Sequence, residues 1–575
     1  MTHWLERLQA AVDRGRSDDA GSRKAWITLG AGALLSAVLA LWLGRKVSFT
    51  VDEYSWISLA GEGGLGDVLE PYVGHLIVLP RLAYWLVLEL NGASSYAIFQ
   101  VLALASLFLM VGLLFAWLKK RVPAWVALAP CLVILIFPVD HLHYLTGNGI
   151  VISLAMAFGI AALIAWERES RGGDLLAFGF LVLGLLTYTI TAAFAVGLVI
   201  AALLERRWGR IWVGLLPLAL YGVWRLVAVS SGVEEVEGGP EWDNLLLLPA
   251  WSFQSLGAVL AALTGLGFDF SQLAGGPALE QGRALGPALA TTVVLALGWW
   301  FWTGRRVPMS FWLTGATLLA LFASQVLVWG TIEARDPGAP RYLLPGAVVV
   351  VMVAAALLTR AKWGRTAFTA LWVVALSSVV TSIGILANNT AWFETVERGA
   401  RAEITAIRVI EASRKKPLPP AAQPRDRIRP EFSFEASSVY GNLGFAIEEV
   451  DLEPGWVGKR VDTFVAKSLR IGMRPLPPGA GPPQGCRPAV RGERFVPYRT
   501  RIRIPSPGAV LRADAEIELA LGRFGPWPAV ELGPLGRGTV RQLWLPFDVG
   551  RVAWYIQATP ERPGTLADLE ICRFR

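Results

Sequence analysis

The chain has 575 residues, 54% of them hydrophobic and only 17% charged, with 25 Trp and a formal net charge of +8. Its mean hydropathy is +0.48, and soluble domains carry roughly 25% charged residues, so an ordinary soluble enzyme is excluded. The charge is unevenly spread, with 25 Lys/Arg against 24 Asp/Glu up to Asn388 and 28 against 21 beyond it, so a nearly neutral body precedes a basic tail.

In chain order, segment 1–24 carries five Lys/Arg and no A-x-A-like cleavage site. The apolar run behind it therefore reads as a retained helix with its leading end in the cytoplasm. Eleven runs read as spanning helices: 25–44, 96–118, 123–139, 148–166, 174–188, 189–204, 210–229, 284–303, 310–330, 341–359 and 366–388. Each approaches the roughly 20 apolar residues needed to cross a hydrocarbon core. The cationic loops 119–121, 168–171, 206–210, 305–306 and 360–365 gather 13 Lys/Arg on one side, which the positive-inside rule makes cytoplasmic. Eleven crossings then leave the tail outside. Two further apolar stretches, 74–90 and 245–266, would reverse the side of these loops if they crossed, so they read as interfacial or re-entrant elements of the outer face.

The expected layout is a cytoplasmic N-terminus at 1–24, a transmembrane domain at 25–388 with long outer loops at 45–95 and 230–283, a helix and Pro-rich linker at 389–430, and an extracytoplasmic domain at 431–575. Within the last, short β-branched or alternating runs at 500–504, 509–513, 515–521, 542–547, 552–558 and 569–574 are spaced by Gly, Pro and Asp turns, the pattern of a β-sandwich. The fold class is thus a polytopic α-helical membrane protein with a mainly-β C-terminal domain. Cys131 lies in a span and reads as a small packed hydrophobe. Cys486 and Cys572 are a disulfide candidate or two thiols of the tail; an outside location permits the bridge.

Among ionisable groups only Arg225 lies well within a span. An ion-coupled transporter needs intramembrane acids or histidines, so that class is disfavoured, and no internal repeat points to a transporter architecture. The polar residues sit instead at outer helix ends, in three clusters. The first is Val47-Ser48-Phe49-Thr50-Val51-Asp52-Glu53-Tyr54, sharing its loop with His75 and Arg81. The second is Asp140-His141-Leu142-His143-Tyr144, and the third runs from Glu333 through Arg335, Asp336 and Arg341 to Tyr342. Three of the four His fall in the first two clusters; they are either interfacial amphipaths or, with the carboxylates, ligands of a divalent cation. Arg225, Arg335 and Arg341 suit bidentate bonds to a phosphate at headgroup level, or else snorkel or pair with Glu333 and Asp336.

An acidic pair just after the first membrane helix, a long first outer loop, polar clusters in later outer loops and an exported C-terminal domain resemble the GT-C superfamily of integral membrane glycosyltransferases. The most specific local element is Phe49-Thr50-Val51-Asp52-Glu53. By that resemblance Asp52 is the catalytic base and Glu53 a supporting or metal-linked acid. Arg225, Arg335, Arg341 and His75 bind the donor phosphate, and Asp140, His141, His143, Glu333, Asp336 and Tyr342 support them. The resemblance implies inverting transfer of a sugar from a polyprenyl-phosphate donor to a glycan or protein acceptor of the cell envelope, in a plasma or inner membrane. A divalent cation is the one cofactor the clusters suggest, without fixing it, and membrane lipids are the other partners. A lipid-linked sugar flippase and a non-enzymatic envelope scaffold are the alternatives. Nucleic acid is disfavoured, because the basic surplus is scattered and lies in the outer tail.

Overall fold

The computed structural model describes residues 19–47, 49, 52–54, 56–57, 67–69, 72, 74–91, 95–137, 144–230, 242–266, 285–304, 307–327, 337–412, 456–479, 482–489, 501–504, 508–524, 530–545, 553–560 and 569–573. The chain forms two units, Met1–Leu90 with Ser95–Glu394, and Asn91–Ser94 with Thr395–Arg575.

The first unit is a bundle of apolar helices: α1 (Asp19–Leu43), α2 (Val78–Asn91), α3 (Ala97–Leu118), α4 (Ala124–Leu135), α5 (Gly149–Trp166), α6 (Arg171–Leu185), α7 (Ala192–Leu204), α8 (Trp212–Ser230), α9 (Leu248–Thr264), α10 (Gly286–Trp302), α11 (Met309–Val326), α12 (Pro340–Leu357) and α13 (Arg365–Ala412). Among the described residues, six helical stretches are long and apolar enough to cross a membrane, and five shorter apolar helices accompany them. Every one of the eleven runs read as a span coincides with a helix. α5 is apolar throughout and buried over most of its length, the mark of a central helix, and packs on α3 and α6. Leu34 and Leu35 of α1, Leu226 of α8 and Trp302 of α10 are exposed instead. An oily outer surface suits a lipid solvent, and the chain is a multi-pass membrane protein.

The stretch 245–266 forms α9 and the turn before it, and is no surface helix: α9 packs on α10, α11 and α12. By length and composition it suits a crossing, but its contacts end it inside the bundle. Trp251 Nε1 donates to Gln325 Oε1 (3.3 Å) at the last turn of α11. The chain then advances about 21 Å to Gly265 at 1.5 Å per residue, where Gly265 ends α9 against Ser378, midway along the apolar part of α13. Gly286, the first residue of α10, is back beside Gly257. α9 is therefore packed within the bundle, alongside the start of α10.

Helix α13 continues without a break through Asn388 and Asn389 to Ala412, so the helix expected within 389–430 continues the last apolar run, and the division between the units falls within the same helix. Beyond it, the described residues of the second unit add α14 (Trp456–Leu469) and nine strands in two antiparallel sheets. One has the order β1 (Gly472–Pro475), β7 (Thr539–Trp544), β4 (Gly508–Ala513), β9 (Leu569–Arg573), β2 (Gln484–Pro488). The other runs β3 (Arg501–Arg503), β8 (Tyr555–Pro560), β5 (Ile517–Gly522), β6 (Val530–Leu535). Ile517, Leu519 and Leu521 alternate inward along β5, and Leu511, Leu543 and Leu569 fill the buried side of the larger sheet. Three strands that sequence reading missed, β1, β2 and β6, carry Pro475, Pro488 and Pro534, and each is the edge of its sheet, where a missing amide donor is tolerated.

Cys486 and Cys572 are joined by a disulfide that ties edge strand β2 to β9. Protein denatured without reductant should leave both unalkylated, with Cys131 alone labelled; prior reduction should lower the thermal stability of the tail by about 2–5 kcal/mol. Labelling of all three cysteines before reduction would show that the bridge does not form.

Candidate active site

The first helix ends in a tight turn, Gly44–Lys46. The buried amide of Gln100, on α3, donates to the carbonyls of Gly44 (3.1 Å) and Leu145 (2.8 Å), drawing the end of α1 beside the turn that opens α5. Four buried apolar anchors, Phe49, Tyr54, Trp56 and Ile57, then fix the chain on which the acidic pair sits. Phe49 meets the rings of Tyr96 (4.6 Å) and Phe99 (5.0 Å) edge-on.

The two carboxylates have different surroundings. Glu53 is fully buried and accepts hydrogen bonds from the phenols of Tyr84, on α2, and Tyr96, which lies 3.0 Å from both of its oxygens. Burial and the Glu53 charge hold the Tyr84 phenol well above its usual range, so it stays a donor. The Gly147 amide donates to Tyr96 Oη (2.8 Å). A Cβ at Gly147 would fall 2.2 Å from Tyr84 Oη and 2.7 Å from Glu53 Oε1, so only glycine fits there. Asn148, the next residue, reaches the other acid: its Nδ2 donates to Asp52 Oδ2 (3.2 Å) while Tyr72 Oη donates to Asp52 Oδ1 (2.9 Å). Asp52 itself is half-buried.

Tyr72 belongs to a miniature hairpin. Its backbone exchanges hydrogen bonds with His75 (2.9 and 2.8 Å) across Gly74, whose φ of +76° favours glycine. His75 Nδ1 lies 2.8 Å from Thr189 Oγ1 and Nε2 lies 3.3 Å from Tyr188 Oη, with Thr189 bonded in turn to Tyr221 (3.1 Å) on α8. One turn further along α8, the Arg225 guanidinium lies 3.7 Å from where a Cβ on Gly74 would be. The buried Arg81 stacks over the Tyr72 ring (5.7 Å).

The structure thus brings together Asp52, Glu53, His75 and Arg225 from the sequence-derived set. Arg341 is exposed in the first turn of α12, its guanidinium 5.1 Å over the ring of Tyr342. Asp140, His141, His143, Glu333, Arg335 and Asp336 lie outside the described residues. Sequence reading missed Tyr72, Asn148, Tyr84 and Tyr96. A signal for the tyrosines was present: the chain has only 11 Tyr, and Tyr54, Tyr72, Tyr84, Tyr96, Tyr188 and Tyr221 all collect here. Among the described residues, the one group of three His, Cys or acidic side chains close enough to share a metal ion is Cys486, Glu570 and Cys572, whose sulfurs are already bonded to each other. Both oxygens of Asp52 accept from neutral donors, Tyr72 and Asn148, which fix the orientation of the carboxylate.

Two solved structures resemble the chain. ArnT from Cupriavidus metallidurans bound to undecaprenyl phosphate is 15% identical with a TM-score of 0.43, the match covering 72% of this chain and 84% of that one. The apo state of ArnT matches over the same shares at 14% identity and a TM-score of 0.42. No protein-family model and no curated protein matches the sequence. At these identities the chemistry must be read from the site itself.

Proposed function

We propose that the chain is a membrane glycosyltransferase that moves a sugar from a polyprenyl-phosphate donor to a hydroxyl of a cell-envelope acceptor, with inversion. The observation that carries this reading is the Tyr72–His75 hairpin, which holds a carboxylate, Asp52, at one end and a cationic group, Arg225 with His75, at the other. A lipid-linked sugar phosphate needs both. Asp52 takes the proton of the acceptor hydroxyl as that oxygen bonds to the anomeric carbon. The bond from that carbon to the phosphate oxygen breaks, and the departing polyprenyl phosphate is stabilised by the Arg225 guanidinium and the hydrogen-bonded His75. One base opposite one leaving group makes a single displacement, which inverts the anomeric centre. Glu53, enclosed by two phenols, positions Asp52 through the Gly147–Asn148 turn and does not meet the substrate.

The test is full-length protein in proteoliposomes supplied with a polyprenyl-phosphate sugar labelled in the sugar and with a cell-envelope glycan fraction as acceptor. Label should appear in acceptor with release of one polyprenyl phosphate per transfer, and Arg225→Gln should lower kcat/KM by about 10–100-fold, the scale of one lost charge-assisted hydrogen bond. Label that crosses the bilayer while still joined to lipid would instead make the protein a flippase.

A further inference from the structure

At the opposite end of α3, α5, α6, α7 and α8 from Asp52, three turns meet: 119–121, 167–174 and 205–210. Together they hold eight Lys/Arg and four acids. Every one of the acids is engaged within the patch. Glu167 pairs with Lys120 (3.1 Å) and with Arg121, Glu169 and Glu205 pair with Arg207 (2.8 and 2.9 Å), and Asp174 accepts from Arg210 Nε (2.9 Å). Arg121 and Arg210 are further clamped by stacking on Trp117 (3.3 Å) and Trp166 (3.4 Å).

That arrangement leaves Arg168, Arg171 and Arg206 exposed and, among the described residues, without an acid partner. Two of the turns also hold a charged side chain in the left-handed region, Glu169 at φ +51° and Arg206 at φ +56°, where helix ends ordinarily use glycine. Unfavourable backbone retained with a charged residue on it is a reason to look for a ligand. Apolar surface adjoins the cations: Trp208 is 66% exposed, and Leu204 and Trp212 are exposed beside it. A planar guanidinium fits a phosphate bidentately, and Trp beside cations at the end of a membrane helix belongs at headgroup level.

We propose that Arg168, Arg171 and Arg206, flanked by Trp208, bind the phosphodiester headgroup of an anionic phospholipid such as phosphatidylglycerol in the leaflet at this end of the bundle. The exposed Trp and Leu commit the site to a lipid, because a freely dissolved phosphate has no use for them. The proposal does not depend on the chemistry at Asp52.

Native mass spectrometry of the full-length protein released from nanodiscs of phosphatidylcholine and phosphatidylglycerol tests it. Phosphatidylglycerol should be retained in preference. The triple variant Arg168→Gln/Arg171→Gln/Arg206→Gln should lose that preference by on the order of 100-fold, each cation near an anionic surface being worth about fivefold. The corresponding triple lysine variant should keep it within a factor of a few, and Arg206→Gln alone, losing about fivefold, decides the matter if the triple variant does not fold. Equal retention of the two lipids, an unchanged preference in the glutamine variants, or displacement of phosphatidylglycerol by inorganic phosphate would overturn the proposal.

Discussion

Replacing Asp52 by Asn should reduce sugar transfer in reconstituted membranes by about 10²–10⁴-fold, the effect of removing a positioned general base, while expression and insertion stay intact. The amide has the shape of the carboxylate and still offers an oxygen to the Tyr72 hydroxyl or the Asn148 amide, which lie 2.9 and 3.2 Å from Asp52 now. What it loses is the capacity to take a proton. Glu53→Gln should behave differently. The amide removes the charge that strengthens the bonds from Tyr84 and Tyr96 and puts an N–H where the Tyr96 hydroxyl now meets the second carboxylate oxygen, and a buried network weakened in this way is destabilised by about 1–3 kcal/mol. Its thermal transition should fall, and kcat should fall more than KM rises, because the Gly147–Asn148 turn that orients Asp52 is loosened. Transfer near wild type in Asp52→Asn would move the base to another residue; transfer lost in Glu53→Gln without any change in stability would give Glu53 a direct part in the reaction.

The second large effect is expected in the tail. Asp462 on α14 and Arg523 after β5 are both fully enclosed, with Asp462 accepting from Arg523 Nε and from its backbone amide, each at 2.6 Å. The guanidinium lies 4.4 Å over Trp554 and 4.7 Å over Phe524. Burial pushes the Asp462 carboxyl up and the Arg523 guanidinium down, so each charge depends on its partner being in place. Asp462→Asn leaves a buried cation without its counter-ion and should destabilise the second unit by about 3–5 kcal/mol, read as earlier proteolysis and a lower thermal transition in the full-length protein. The double variant Asp462→Leu/Arg523→Met, apolar at both positions, should recover much of that loss. A single variant as stable as wild type would show that the pair contributes nothing to the fold.

Much of the helical body was legible from local pattern, because a run of some 20 apolar residues is the strongest signal a sequence carries. Charge parity also separated α2 and α9 from the eleven spans. That α9 packs inside the bundle is seen only from the positions of Trp251, Val259 and Gly265 against α11, α12 and α13. In the tail, six of the strands were visible, the edge strand β3 among them, and three edge strands were not: β1, β2 and β6 carry Pro475, Pro488 and Pro534, and only pairing shows that these occupy sheet margins. The helix expected after 389 is continuous with the last apolar run: α13 passes through Asn388 and Asn389, although Asn is a poor helix former.

The site divides in the same way. Adjacency in sequence made Asp52 and Glu53 a pair, and their position after the first helix gave them a candidate role; nothing local distinguished one acid from the other. That distinction comes from residues remote in sequence. Tyr84 and Tyr96 close over Glu53, and Tyr72 and Asn148 take hold of Asp52 while leaving it half-buried. Composition and hydropathy alone determined that this chain lives in a membrane, kept its acids out of the spans and carried its surplus charge in a polar tail. Which acid is enclosed by phenols and which stays half-buried was decided only by tertiary structure, since burial and hydrogen bonding depend on which helix ends the bundle brings together.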